Sequence, residues 1–215
     1  MVLAERQSAG RGRLGRTWDS PDRAGLYLSV LLRPADSAER LGRYPIAAAV
    51  AVGAACRAFA GERVALKWPN DVLADGRKLA GVLAEMRQGS SGAELVVGIG
   101  INVNQSPEDF PTALRSSATS LRALRDGVAV DREAVAATLL EALAATLTRL
   151  RADGWREVAE RFLSYAPDAE GRRVRLAAGG EGITRGLDAS GALRVATANG
   201  IVLVHGTDSV AIVGE

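Results

Sequence analysis

Three stretches of this sequence bring together residue types that could do chemistry on an anion. Gly10-Arg11-Gly12-Arg13-Leu14-Gly15-Arg16 sets three guanidiniums among three glycines. Such a loop offers guanidinium forks and exposed backbone N–H groups to a carboxylate or a phosphate. Lys67-Trp68-Pro69-Asn70-Asp71 presents an ammonium, an amide and a carboxylate at one turn. Lys67 could hold a phosphate, and Asn70 and Asp71 could hold Mg2+ or its waters. Arg77-Lys78-Leu79-Ala80-Gly81 puts a lysine at the start of an apolar strand. Lys78 would stand at a pocket rim, and Gly81 would let a ligand approach the backbone closely.

Each stretch has an ordinary reading as well: a solvated basic loop, a turn in which Asn and Asp bond their own backbone, and a surface lysine at a strand end. Gly10 to Gly15 also spell the dinucleotide fingerprint G-x-G-x-x-G. That fingerprint needs a helix opening at the glycines. Pro21, Gly25 and then a strand follow here, so the match is rejected. A nucleic-acid arm is disfavoured because Trp18 stands alone, without the interleaved aromatics of a stacking platform.

Composition narrows the choice. Of 27 basic residues only Lys67 and Lys78 are lysines. Arg and Lys are not interchangeable where a compact ammonium is needed, so the stretch from Lys67 to Lys78 is the first functional candidate. One cysteine, Cys56, excludes a disulfide within these residues and a zinc cluster built on thiolates. One histidine, His205, would have to serve any Ser/His/Asp or Cys/His chemistry. Cys56 in an Ala-rich helix reads as core, and His205 in a strand reads as structural. With 47% hydrophobic and 24% charged residues and a net charge of +2, no global field points to nucleic acid or membrane. The first residues lack a basic head and apolar run, and Ile46 to Ala55 is too short to span a bilayer, so the expectation is a cytoplasmic protein off the membrane.

The positioning elements follow from periodicity. Strands are expected at 2–7, Leu26–Arg33, Val64–Trp68, Leu79–Met86 and Glu94–Val103, with polar Gly89-Ser90-Ser91-Gly92 joining the last two. Helices are expected from Pro45 to about Phe59, over Asp131–Arg151 and over Trp155–Tyr165. Residues 10–25 and 105–120 read as loops. After Pro167, short strands at 172–176, 182–187, 193–196, 201–204 and 210–213 alternate with Gly-rich turns, the pattern of a small β-barrel.

Taken in order, the Gly/Arg loop, Lys-Trp-Pro-Asn-Asp, Arg-Lys-Leu-Ala-Gly-Val-Leu and Gly98-Ile99-Gly100-Ile101-Asn102-Val103-Asn104 resemble the biotin–protein ligases. The resemblance covers nearly the whole chain. It implies an α+β fold: a mixed β-sheet catalytic domain of the class II aminoacyl-tRNA synthetase/biotin ligase type over 1–167, and an SH3-like barrel over 168–215. It implies ATP and biotin as substrates with Mg2+, joined as biotinyl-AMP and passed to a lysine of the biotin carboxyl carrier protein of acetyl-CoA carboxylase or a related carboxylase. On that pattern Gln7, Gly10, Arg11, Gly12, Arg13, Lys78 and Gly81 would bind biotin or its activated carboxyl. Arg13, Arg16, Trp18, Lys67, Asn70, Asp71 and Asn102 would serve the nucleotide, with Trp18 and Asn102 flanking adenine and Asp71 on the metal. Lys78, Arg11 and Asp71 would be catalytic, Asp71 as base for the acceptor amine.

The family pattern also places a Ser/Thr-rich biotin-contacting segment and a helix ahead of the first strand, and in some members a DNA-binding domain before that. This sequence starts at the strand, so it is expected to act without DNA and to bind biotin more weakly than an upstream-extended chain. Self-association as a homodimer stays open. The alternative reading is a non-catalytic nucleotide- or nucleic-acid-binding relative with a basic Gly/Arg loop. ATP- and biotin-dependent pyrophosphate release separates the two. The freedom of residues 10–16 makes a first prediction. Trypsin should cut after Arg11, Arg13 or Arg16 faster in the free protein than with biotin plus ATP present, and equal rates in both states would contradict it.

Overall fold

Along the strand from Gly92 to Asn102, Leu95, Val97, Ile99 and Ile101 are buried while Val96, Gly98 and Gly100 are only partly so. This period of two marks a sheet with one face on a core and one face left open. The computed structural model describes residues 1–89, 92–206 and 209–213. The strand belongs to a six-stranded sheet of β1 (Val2–Ala4), β2 (Gly25–Leu32), β3 (Val64–Lys67), β4 (Asp71–Ala74), β5 (Arg77–Gly89) and β6 (Gly92–Asn102), in the order β1-β2-β6-β5-β4-β3.

The reading of a mixed sheet is corrected. Every ladder in it is antiparallel, and the parallel contact among the described residues is one isolated bridge, Lys78 to Ala118. Connection length is the reason: β3 to β6 are chained by short turns, and a parallel neighbour needs a long crossover. β4 itself is absent from the sequence reading. Its signal was available in Asp75-Gly76, which both take positive φ (50° and 75°) and close β4 on β5 as a two-residue hairpin. Ser90 and Ser91 of the expected Gly89–Gly92 turn lie outside the described residues.

The covered face of the sheet meets α1 (Arg43–Ala60), whose Ile46, Ala47, Val50, Ala51, Ala55 and Cys56 are buried. With its flanking turns this stretch, Ala38–Arg63, is long and apolar enough to cross a membrane by length and composition, contrary to the shorter run read from sequence. In the fold it is the central core helix, packed against α2 (Arg132–Arg151) and α3 (Trp155–Tyr165) as well as the sheet. Asp131 caps α2 by accepting from the Glu133 N–H at 2.9 Å. Burial pushes the Cys56 thiol up to about 12.

A second antiparallel sheet holds β7 (Glu170–Leu176), β8 (Glu181–Leu187), β9 (Leu193–Thr197), β10 (Gly200–Val204) and β11 (Val210–Ile212), in the order β10-β9-β8-β7-β11. Its β8–β9 turn docks on the first unit. Carbonyls of Ala189, Gly191 and Asp188 accept from Arg43 Nε (2.6 Å), Trp68 Nε1 (3.1 Å) and Trp155 Nε1 (3.2 Å). Gly42 is needed there, since a Cβ would sit 2.7 Å from the Ser190 carbonyl oxygen. Within the turn, burial opposes ionisation of Asp188, but bonds from Ser190 and Ala192 outweigh it and hold the carboxyl below the usual carboxylate range.

Two outcomes are expected. Trp68→Ala should cost about 3–5 kcal/mol in denaturant unfolding, and Trp68→Phe, which keeps most of the packing, far less; a cost under about 1 kcal/mol for the alanine variant would deny the seam its role. Cys56 should stay unmodified by Ellman's reagent at pH 8 until the chain is unfolded, and rapid labelling of the native protein would contradict its burial.

Candidate active site

The open face of the first sheet is the floor of a cleft of about 570 Å3. Its bare centre is a pair of glycines, Gly81 and Gly100, opposite each other in the β5–β6 ladder. Along β5 the same face carries Gly81, Leu83 and Glu85, and along β6 Val96, Gly98 and Gly100, all lining the cleft.

The Gly/Arg loop folds over this floor as a small hairpin. Arg11 and Thr17 form an antiparallel bridge, the Gly12 N–H donates to the Arg16 carbonyl at 2.7 Å, and the Trp18 N–H donates to the Gly10 carbonyl at 2.9 Å. Leu14 and Gly15 both take positive φ (56° and 73°) to turn the tip. Gly10 does not line the cleft. It closes the neck of the loop, where a Cβ would fall 2.3 Å from the Trp18 carbonyl oxygen. Gln7, at the rim, accepts from Ser20 Oγ at 2.7 Å. The returning arm is tied down by the Tyr27 hydroxyl, which donates to the Pro21 carbonyl at 3.0 Å. Burial raises that phenol to about 12, so it remains a donor at working pH.

The structure brings the predicted cations together, each against a partner of its own. Arg11 makes a forked pair to Glu85 (2.9 and 2.6 Å). Arg13 Nη1 donates to Asn70 Oδ1 at 2.9 Å. Lys78 Nζ lies 2.7 Å from Asp71 Oδ1 and 5.6 Å from the centre of the Trp18 ring. Gly12, Arg16, Lys67 and Gly81 also line the cleft. Asn70 is fixed by reciprocal bonds with Val82: its Nδ2 donates to the Val82 carbonyl at 2.8 Å, and the Val82 N–H donates to the Asn70 main-chain carbonyl at 2.9 Å.

Asn102 lines the cleft as well, and its amide is also engaged within the protein. It is buried, its Nδ2 donates to Thr119 and Lys78 carbonyls at 3.0 and 3.4 Å, and its Oδ1 accepts from Gln105 at 3.2 Å. Its amide fixes the segment from Ser117 to Ser120 against the start of β5, where the Lys78 N–H donates to the Ser117 carbonyl at 2.7 Å. Sequence reasoning missed Glu85, which shares the open face with Gly81 at the strand period. It also missed Phe110, Leu114 and Ser117, which line one end of the cleft from a segment read as plain loop.

A magnesium ion carried in on a nucleotide needs one or two protein carboxylates beside the phosphate oxygens, and Asp71 would be the carboxylate to hold it here. Asp71 is the one carboxylate of its turn and is held by Lys78. Among the described residues no three His, Cys, Asp or Glu side chains are grouped to hold an ion. What the arrangement offers is anion chemistry: three guanidiniums (Arg11, Arg13 and Arg16) and two ammoniums (Lys67 and Lys78) line the cleft, with three carboxylates, Asp19, Asp71 and Glu85, at hand.

Comparison with known proteins agrees with this geometry. Residues 1–102 match the biotin/lipoate A/B protein ligase family. The chain is 38% identical to the biotin–[acetyl-CoA-carboxylase] ligase of Mycobacterium tuberculosis, over 98% of this chain and 78% of that protein. It is 35% identical to the bifunctional ligase/repressor BirA of Bacillus spizizenii, over 97% of this chain but 65% of that protein, so it spans just under two thirds of that relative. The structure of biotin protein ligase from Aquifex aeolicus in complex with biotin and ATP superposes with a TM-score of 0.81 at 32% identity, over 98% of this chain and 87% of that one. The chain belongs to the biotin protein ligase family.

Proposed function

We propose that this protein is a biotin–[acetyl-CoA-carboxylase] ligase, activating biotin with ATP and passing it to a lysine of a carboxylase's biotin carrier domain. The observation that carries this reading is the gathering of Arg11, Arg13 and Lys78 in one cleft over the Gly81–Gly100 floor. Joining a carboxylate to a triphosphate brings two anions together, and charge builds at the attacked phosphorus. Three fixed cations offset both effects, and more strongly in a half-buried cleft than in water.

In the first step a biotin carboxylate oxygen bonds to the α-phosphorus and pyrophosphate leaves. Arg11 and Arg13 bind the joined anions from the loop, and Lys78 binds the developing charge from the sheet. In the second step the acceptor amine, in its neutral form, bonds to the acyl carbon and AMP leaves. Asp71, once Lys78 has turned to the ligand, is the carboxylate in reach to take the amine's proton. No enzyme nucleophile is needed, which agrees with a buried Cys56. Arg16, Trp18 and Lys67 belong on the nucleotide side in this proposal, with Gln7, Gly12 and Gly81 on the biotin side. Asn102 acts from below, by fixing the segment that pairs with Lys78. The five-stranded unit is assigned as an SH3-like domain beginning near residue 168, and the first unit as a catalytic domain of the class II aminoacyl-tRNA synthetase type.

The test is biotin-dependent pyrophosphate release from ATP, followed by label transfer to a carrier domain. Lys78→Ala should lose about a hundredfold or more of the first step, because the ammonium acts where charge develops. Its melting temperature should stay within a few degrees, since the Lys78–Asp71 pair is partly exposed and contributes little to stability. A fully active Lys78→Ala would place the chemistry elsewhere.

A further inference from the structure

In this structure the two glycines on the cleft floor are covered by the protein itself. The Trp18 indole lies on the two facing glycines. A Cβ added at Gly100 would fall 2.5 Å from indole Cε2 and Nε1, and one at Gly81 would fall 3.3 Å from Cζ3. The bare floor is thus a slot shaped for a ring, and Trp18 is the ring in it. The fit is incomplete, because the indole N–H is buried with no hydrogen-bond partner. A buried donor left unpaired is costly, so this occupant matches the slot in shape but not in hydrogen bonding.

What keeps it there is on the page too. Trp18 and Arg11 belong to one hairpin, joined by the Arg11–Thr17 bridge and the Trp18 N–H to Gly10 carbonyl bond. They therefore move together. Arg11 is gripped by both oxygens of Glu85, which stands on the same open face of β5 as Gly81. The fork is 64% exposed on the arginine side and 38% on the glutamate side, so it is a weak, salt-sensitive grip that can let go.

We infer that Glu85 is a positioning residue which, through Arg11, holds Trp18 in the Gly81–Gly100 slot, and that the ring of biotin enters the slot as Trp18 leaves it. The inference rests on the proposed function. It adds to it an occupant that competes with substrate, and a carboxylate that sets how often the slot opens. Release of Arg11 from Glu85 also frees the guanidinium for the incoming carboxylate, so slot and cation become available in one movement.

Trp18 reports on itself. The other two tryptophans sit at the seam with their N–H groups bound to the Gly191 and Asp188 carbonyls, away from the slot. Stopped-flow emission on adding millimolar biotin should change in the wild type and stay flat in Trp18→Phe. Glu85→Gln should raise the biotin association rate by roughly two- to fivefold, the range set by the strength of exposed ion pairs. Glu85→Asp should lie between, and added salt should bring the wild type toward the glutamine variant. Tryptic cleavage at Arg11 to Arg16 in the free protein should rise in Glu85→Gln. Binding seen by calorimetry without a Trp18 signal overturns the inference, as does an unchanged association rate in Glu85→Gln. A signal with ATP alone and none with biotin assigns the slot to the base and overturns it as well. Failure of the functional reading looks different: no heat of biotin binding in the wild type, with loop cleavage still dependent on Glu85, which withdraws biotin as the entering ring.

Discussion

Three cations held close together in a half-buried cleft repel one another and lose water, and this constraint shapes the site. The protein meets it by giving each cation a partner of its own: Glu85 for Arg11, Asn70 for Arg13 and Asp71 for Lys78. Those partners come from β4, β5 and the turn before them, so the loop is drawn down onto the sheet from above. The glycines at 10, 12 and 15 let the loop fold tightly enough to reach, and those at 81 and 100 leave room beneath it. The same pairs that make the unliganded site tolerable are the ones a bound anion must exchange.

The second unit bears on this arrangement through the backbone. Trp68 lies between Lys67 and Asn70 in sequence, and its indole N–H is bound to the Gly191 carbonyl. Arg43 and Trp155 grip the same turn from two helices. The Lys67–Asp71 turn is therefore held from behind by the seam and from the front by Arg13 and Val82. A small cavity of about 180 Å3 at the seam is lined by His205, Gly191, Arg13 and Asn70, so the two units meet beside the cleft. Loosening the seam would disturb the site without touching a residue that binds substrate.

Much of this was legible from sequence because the signals are local. Helical spacing gave α2, an apolar β-favouring run gave β2, and motif order gave the cluster of Arg11, Arg13, Asn70, Asp71 and Lys78. What escaped were facts about pairing. The sheet's wholly antiparallel character depends on which strands become neighbours, and β4 is hidden because its Asp-Gly signal follows closely on Pro69-Asn70-Asp71, which itself reads as a turn. Gly10 looks like its neighbours in the loop, and its contact with Trp18 exists only once the hairpin closes. Asn102 lines the cleft, but the bonds of its amide to the Thr119 and Lys78 carbonyls, from residues distant in sequence, leave no mark in its motif. Glu85 carries no mark beyond its place on the open face.

The central claim is that Arg11, Arg13 and Lys78 trade protein partners for the activated carboxyl. A crystal structure with a non-hydrolysable biotinyl-adenylate analogue tests it most directly. The account predicts the analogue on the Gly81–Gly100 floor, Arg11 drawn away from Glu85, Arg13 from Asn70 and Lys78 from Asp71, each now within hydrogen-bond distance of the linking phosphate or carbonyl oxygen. An analogue bound with all three internal pairs intact, or bound away from that floor, would contradict it.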